Sequence, residues 1–277
     1  MTRKSTLQKW LVPVLALFVG LWSAVPIAWM LITSLKPQTA IRTSDITLAF
    51  APTLENFSNL FFGGNKVGSF LVNSLLVSVI STVIAVALGC MAGYGIAHWR
   101  SRHTKGLSFW IISTRMAPIA AVIVPLFVMF RTVGLVNTVP GLIIACLSFN
   151  LPFAIWLMSA FFQQVPKSIE EAALVDGCSK LRGFWSVALP VSRPGIITTA
   201  VLCLVFSWND YAFSSALGGP NTSTLPMAAG ALVTQSGIDW GLLSALGVVV
   251  ATPMLIAGLA VRRHLVTGLS LGAVTGE

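Results

Sequence analysis

Glu171-Ala172-Ala173-Leu174-Val175-Asp176-Gly177, followed downstream by Leu189-Pro190, is a polar, helix-forming insertion between long apolar runs. Ser168 is placed to cap a helix, with Glu171 returning the hydrogen bond as the last residue of an S-x-x-E box. Ala172, Ala173 and Leu174 favour its propagation. Gly177 supplies the left-handed conformation that ends it. A second helix, opened by Ser179, runs through Phe184 and Val187 until Leu189-Pro190 breaks it. The pattern predicts a helix-turn-helix lying near a membrane surface, with small residues that admit a partner and Glu171 as an anchor. An interfacial hairpin resting on lipid headgroups fits the same pattern.

The rest of the chain explains why a membrane is involved. Of 277 residues, 56% are hydrophobic and only 9% charged, a balance outside the range of soluble domains. Six segments are long enough to cross about 30 Å of hydrocarbon: residues 10–35, 71–97, 107–131, 139–163, 194–217 and 241–261. A barrel would show short alternating strands, and these are absent. The expectation is an all-α polytopic membrane protein of six transmembrane helices. It forms a single transmembrane domain over 1–277, with the helix-turn-helix of 164–193 between spans four and five. The first run is too long for a signal h-region, lacks a small-x-small cleavage site and ends at Lys36, which favours an uncleaved span.

Basic residues set the orientation. Arg3, Lys4 and Lys9, then Arg100, Arg102 and Lys105, then Lys167, Lys180, Arg182 and Arg193, and finally Arg262 and Arg263 fall on one side. Only Lys36, Arg42, Lys66 and Arg131 fall on the other. Both termini and the 164–193 loop are therefore expected in the cytoplasm. The net charge of +9 is explained by this topology, without nucleic acid, because the basic residues are scattered over separate loop ends. Cys90, Cys146, Cys178 and Cys203 lack metal-ligand spacing and are expected as free thiols.

The outer loops differ in character. Residues 36–70 read as irregular, with a short helix after Thr53; they either contact a partner or cap the bundle. In 218–240, a turn at Gly218-Gly219-Pro220-Asn221 precedes a short helix over Leu225 to Leu232. Its apolar content implies packing into the outer mouth or simple burial against the bundle. Gly89-x-x-x-Gly93, followed by Gly95, permits close helix contact, within the chain or with another membrane subunit.

Charged residues inside spans cost about 2.5–3.5 kcal/mol each unless they meet water, protein or a ligand. Arg115 and Asp210 are the two cases. At 1.5 Å per residue they lie roughly 12 and 24 Å from the starts of their spans, so pairing would need a bend, which Pro118 could supply. His98, His103 and His264 stand near helix ends with no nucleophile or metal cluster, so enzyme chemistry is not expected and snorkelling explains them.

Glu-Ala-Ala, three residues, Gly177 and, nine residues on, Val187-Ala188-Leu189-Pro190 resemble the coupling-loop signature of permease subunits in bacterial ABC importers, with Val187 where isoleucine is usual. Asn73-Ser74, Trp208-Asn209-Asp210 and the closing Gly268-Leu269-Ser270-Leu271-Gly272-Ala273 resemble the six-span, maltose-type carbohydrate branch. The tail departs from that pattern at Val274-Thr275-Gly276-Glu277. The resemblance implies an inner-membrane subunit working with a second permease, two ATPase chains that hold ATP and Mg²⁺, and a periplasmic solute-binding protein. Glu170, Glu171, Ala172, Ala173, Asp176, Gly177, Leu189 and Pro190 would then couple to the ATPase. This chain has no phosphate-binding G-x-x-x-x-G-K-[ST] loop, so energy would come from a partner.

For the solute, Asn209, Asp210, Trp208 and Asn150 offer amides, a carboxylate and an indole suited to hydroxyls and sugar rings, with Arg115 facing the interior. The alternative for Asn209 and Asp210 is that they tie helices together. A polyol or glycerol-phosphate solute fits as well as a sugar. A proton-coupled carrier using Asp210 and Arg115 is disfavoured by the lack of an inverted repeat.

Overall fold

The computed structural model describes residues 6–41, 49–64, 67–98, 102–234 and 237–273, with side chains omitted at 6–10, 102–105, 234 and 263–273. Arg3, Lys4, Arg42, Lys66, Arg100 and the closing Val274–Glu277 lie outside the described residues, as do the side chains of Lys9, Arg102, His103, Lys105, Arg263 and His264. Two compact units are present, one formed by Met1–Val67 with Ala229–Thr252 and the other by Gly68–Ala228 with Pro253–Glu277.

In the first unit, α1 (Thr6–Ser34) is apolar all round, and Leu15, Phe18 and Trp22 are exposed, as suits a helix surrounded by lipid. Short helices α2 (Gln38–Ile41) and α3 (Glu55–Phe62) follow, so the short helix expected after Thr53 is present. Buried Asn56 of α3 donates to the carbonyls of Ser34 at 3.0 Å and Lys36 at 2.8 Å, pinning α3 to the end of α1. Gln38 donates to Asp239 at 2.9 Å.

The second unit is built around α4 (Val67–His98) and α7 (Val139–Gln163). They approach closely because glycine removes side-chain bulk: a Cβ on Gly89 would lie 2.7 Å from the Ala154 Cβ, and one on Gly93 would lie 2.8 Å from the Ser159 nitrogen. Gly89-x-x-x-Gly93 therefore serves packing within the chain. Around this pair stand α5 (Arg102–Ser113), a 3₁₀ turn (Thr114–Met116), α6 (Ile119–Thr132), α8 (Lys167–Val175), α9 (Lys180–Gly183), a π turn (Phe184–Ala188), α10 (Leu189–Val191), α11 (Arg193–Trp208), α12 (Ala212–Leu217) and α13 (Leu225–Ala231). Two-residue strands β1 (Val233–Thr234) and β2 (Gly237–Ile238), which belong to the first unit, pair antiparallel before α14 (Trp240–Ala273).

Among the described residues, four helices are long and apolar enough to cross a bilayer: Leu11–Ser34, Val67–His98, Val139–Gln163 and Trp240–Arg262. The third expected span is interrupted where Gly106–Met116 and Ile119–Thr132 meet at 87°, and a second bend, of 75° between Lys180–Val191 and Arg193–Trp208, lies just ahead of the fifth. Pro118 supplies the first bend: it and Ala117 are both extended, which is the conformation imposed on a residue before proline. The fifth segment stops as α-helix at Trp208, and Asn209 and Asp210 form the break before α12.

The loop from Gly218 packs deeply, as its apolar content implied. Thr222, Ser223, Thr224 and Leu225 are buried. Asn73 donates to the carbonyls of Asn221 and Ser223, both at 3.1 Å, and Ser74 accepts from the Leu225 N–H at 2.8 Å.

Candidate functional site

The surface helix-turn-helix follows the sequence pattern with two corrections. Pro166, not Ser168, holds the N-cap position of α8 and makes no side-chain cap, so Ser168 stands in the first turn and the expected capping box does not form. Proline's fixed φ is already helix-compatible and starts the helix two residues early. The end of α8 is as expected. Gly177 takes φ +83°. Its N–H donates to Leu174 at 3.1 Å and that of Cys178 to Ala173 at 3.0 Å, which together make a Schellman motif. Ser179 then caps α9 by accepting from the Arg182 N–H.

The second correction concerns Leu189-Pro190. The helical path continues through both residues to Val191 and turns at buried Ser192. A proline in a helix removes one N–H and crowds the carbonyl four residues earlier. The chain relieves this upstream by widening into the π turn, where the Leu189 N–H reaches the Phe184 carbonyl.

The coupling candidates divide by exposure. Glu171, Ala172, Asp176 and Pro190 are exposed, while Ala173 is buried against its own chain and Leu189 is half-buried. Ala173 is therefore a packing residue, whereas Ala172 remains open to a partner. Val175, Leu181 and Trp185 add exposed apolar surface on the same hairpin. Glu170 faces inward: its Oε2 lies 2.6 Å from His98 Nε2 and accepts from the Tyr94 hydroxyl at 3.3 Å. His98 is thus an ion-pair partner of α8 and not a snorkelling side chain. Sequence spacing gave no signal for it, because His98 and Glu170 lie far apart in the chain.

A cavity of about 480 Å³ opens among α6, α7, α11 and α12, lined by Arg115, Asn150, Phe206, Ser207, Asn209 and Asp210 among others. Arg115 sits at the break of the third span. Its guanidinium carbon lies 4.5 Å from the ring centre of Phe153 and 4.1 Å from that of Phe206. Two aromatic faces help a charge tolerate this position. Among the described residues no ion pair joins Arg115 to Asp210.

Asp210 instead caps α12, accepting from the N–H groups of Phe213 at 3.3 Å and Ser214 at 3.1 Å and from the Ser214 hydroxyl at 3.2 Å. Asn150 is buried and donates to the Cys203 carbonyl at 3.1 Å and to Ser207 Oγ at 2.6 Å. Ser207 also bonds Ser81 at 3.0 Å, so α4, α7 and α11 share one polar network at the cavity wall. Asn209 is exposed and returns its amide to the Val205 carbonyl at 2.8 Å. Trp208 is buried at 1% exposure and is absent from the lining. Asn150, Asn209, Asp210 and Arg115 are thus brought together and Trp208 is not. Phe153, Phe206 and Ser207 belong to the site but escape a sequence reading, since such residues are ordinary in apolar spans.

Residues 85–269 match the family described as binding-protein-dependent transport system inner membrane component, a range that contains both the hairpin and the cavity. The trehalose transport system permease protein SugB of Mycobacterium tuberculosis is 34% identical over 263 residues, covering 94% of this chain and 95% of that one. The diacetylchitobiose uptake system permease protein NgcG of Streptomyces coelicolor is 32% identical over 258 residues, covering 91% and 85%. A crystal structure of a bacterial ABC transporter involved in import of the acidic polysaccharide alginate shares the fold, with a TM-score of 0.71 at 22% identity over 95% of this chain and 99% of that one. This chain belongs to the family of binding-protein-dependent transport system inner membrane components.

Proposed function

We propose that this chain is one of two permease subunits of an ATP-driven importer that moves a sugar or sugar-like solute across the bacterial inner membrane. One observation carries the proposal: a family range that includes a largely apolar cavity bearing Arg115, Asn150, Asn209 and Asp210 also includes a hairpin whose Glu171, Val175, Asp176, Leu181 and Trp185 are exposed. Exposed apolar side chains flanked by charge are what a protein groove recognises.

ATP and Mg²⁺ bind on two partner ATPase subunits, since no phosphate-binding loop occurs in these 277 residues. The excess of basic residues at the termini and around the hairpin puts these parts in the cytoplasm, where the ATPases meet α8. A periplasmic binding protein delivers solute to the opposite mouth. Trehalose and diacetylchitobiose, the solutes named for two relatives, support a carbohydrate cargo here. Asn209 and Asp210 then face the solute, while Asn150 braces the wall behind it.

The test is purification of the tagged chain with its partners and reconstitution in liposomes containing ATP. The panel is radiolabelled trehalose, maltose, diacetylchitobiose and glycerol 3-phosphate. ATP-dependent uptake of a sugar that requires the binding protein supports the proposal. Uptake of glycerol 3-phosphate alone moves the cargo class, and uptake by this chain alone on a proton gradient contradicts the ATP-driven mechanism.

A further inference from the structure

α4 carries three attachments along its length. At its outer end Asn73 and Ser74 hold the segment 221–225. In its middle Ser81 joins the Ser207–Asn150 network at the cavity wall. Its last residue, His98, pairs with Glu170 of α8. At 1.5 Å per residue these points lie at about 0, 12 and 38 Å along one continuous helix.

The far attachment is built for rigidity. His98 Nε2 meets Glu170 Oε2 at 2.6 Å, and His98 Nδ1 lies 2.9 Å from the Tyr94 carbonyl oxygen. Both ring nitrogens face oxygen atoms, which fixes the plane of the ring. Tyr94 braces it from one side, with ring centres 3.9 Å apart, and itself packs on Phe162 at 5.4 Å and Phe184 at 4.8 Å. The second carboxylate oxygen of Glu170 is buried without a hydrogen-bond partner, while the His98 ring keeps 31% of its surface open, so the contact is enclosed on the Glu170 side alone.

We infer that His98 and Glu170 form a latch that makes α8 and α4 move as one body, with α4 as the rod that carries displacement of the surface hairpin to the cavity wall and the outer loop. His98 is a positioning residue: it touches neither solute nor nucleotide, and it sets the angle between α8 and α4. The transport role of the latch rests on the importer proposal above, whereas its mechanical role does not.

The experiment places spin labels at Lys167→Cys on α8 and Val72→Cys near the outer end of α4, in a Cys178→Ser background, and measures their separation in the assembled complex. One narrow separation is expected with and without Mg·ATP and vanadate. His98→Ala and Glu170→Gln broaden it, and His98→Lys, which restores a cation, narrows it again. In unlabelled complexes, solute imported per ATP hydrolysed falls about fivefold or more in His98→Ala and recovers in His98→Lys. An unchanged separation in both His98→Ala and Glu170→Gln overturns the latch, and an unchanged ratio overturns its role in coupling. Should the wild-type complex hydrolyse ATP without importing any sugar, the importer proposal fails while the separation still decides the latch.

Discussion

Arg115 and Phe206 stack at 4.1 Å between the guanidinium carbon and the ring centre, and Phe153 stands on Arg115 at 4.5 Å. A charge in a broken membrane span is thereby held by two aromatic faces, with no carboxylate paired to it among the described residues. Phe206→Leu removes one face and should cost about 0.5–2 kcal/mol, read as a lowered unfolding temperature of the purified complex. The same substitution should raise the apparent KM for solute, because Arg115 lines the cavity. Unchanged stability and KM would show that the stack does not hold the side chain.

Gly93 and Gly95 should respond oppositely to alanine. A Cβ on Gly93 meets the Ser159 backbone and the Met158 Cβ, whereas one on Gly95 meets nothing within 4 Å. Gly93→Ala should destabilise by about 1–3 kcal/mol through overpacking, and Gly95→Ala should be neutral or stabilising by up to about 1 kcal/mol. Thermal unfolding in detergent compares the two, and equal effects would contradict the α4–α7 contact.

Asn150→Leu should cost about 1–3 kcal/mol by leaving the Cys203 carbonyl and Ser207 hydroxyl without their buried donor. Ser207→Ala should then cost less in the Asn150→Leu background than alone, with a coupling of about 0.5–3 kcal/mol in the double-mutant cycle. Additive losses would mean the two side chains do not share one network.

Gly177→Ala forces a Cβ into φ +83° and should cost about 1–2 kcal/mol locally. Limited proteolysis should cut faster between α8 and α9. Gly183→Ala is the control, since that residue is helical and a Cβ there meets nothing within 4 Å. Equal cutting rates would argue against the Schellman turn as the hinge of the hairpin.

The features legible in the sequence are those set by local chemistry. Gly177 ending α8, Ser179 capping α9, the short helix after Thr53 and the bend at Pro118 each follow from the conformational range of one residue and its neighbours. Features misread locally were decided by competing local terms. Pro166 starts α8 ahead of Ser168, and the π turn lets the helix pass through Pro190. Features that escaped the sequence altogether are long-range. Nothing in the spacing joins His98 to Glu170 or places Arg115 between Phe153 and Phe206, because both depend on how helices pack. Trp208 shows the reverse error: its polar neighbours drew it toward the cavity, but an α-helix turns about 100° per residue, and it faces the interior packing.

Site-specific photocrosslinking from residue 175, with a photoreactive amino acid replacing the exposed Val175 in the assembled complex, most directly tests whether the α8 hairpin docks on an ATPase. The expected result is a covalent adduct with an ATPase subunit, its yield changing when ATP is added. Adducts confined to lipid, or labelling of a cysteine at the same position by an impermeant reagent added outside the cell, would contradict it.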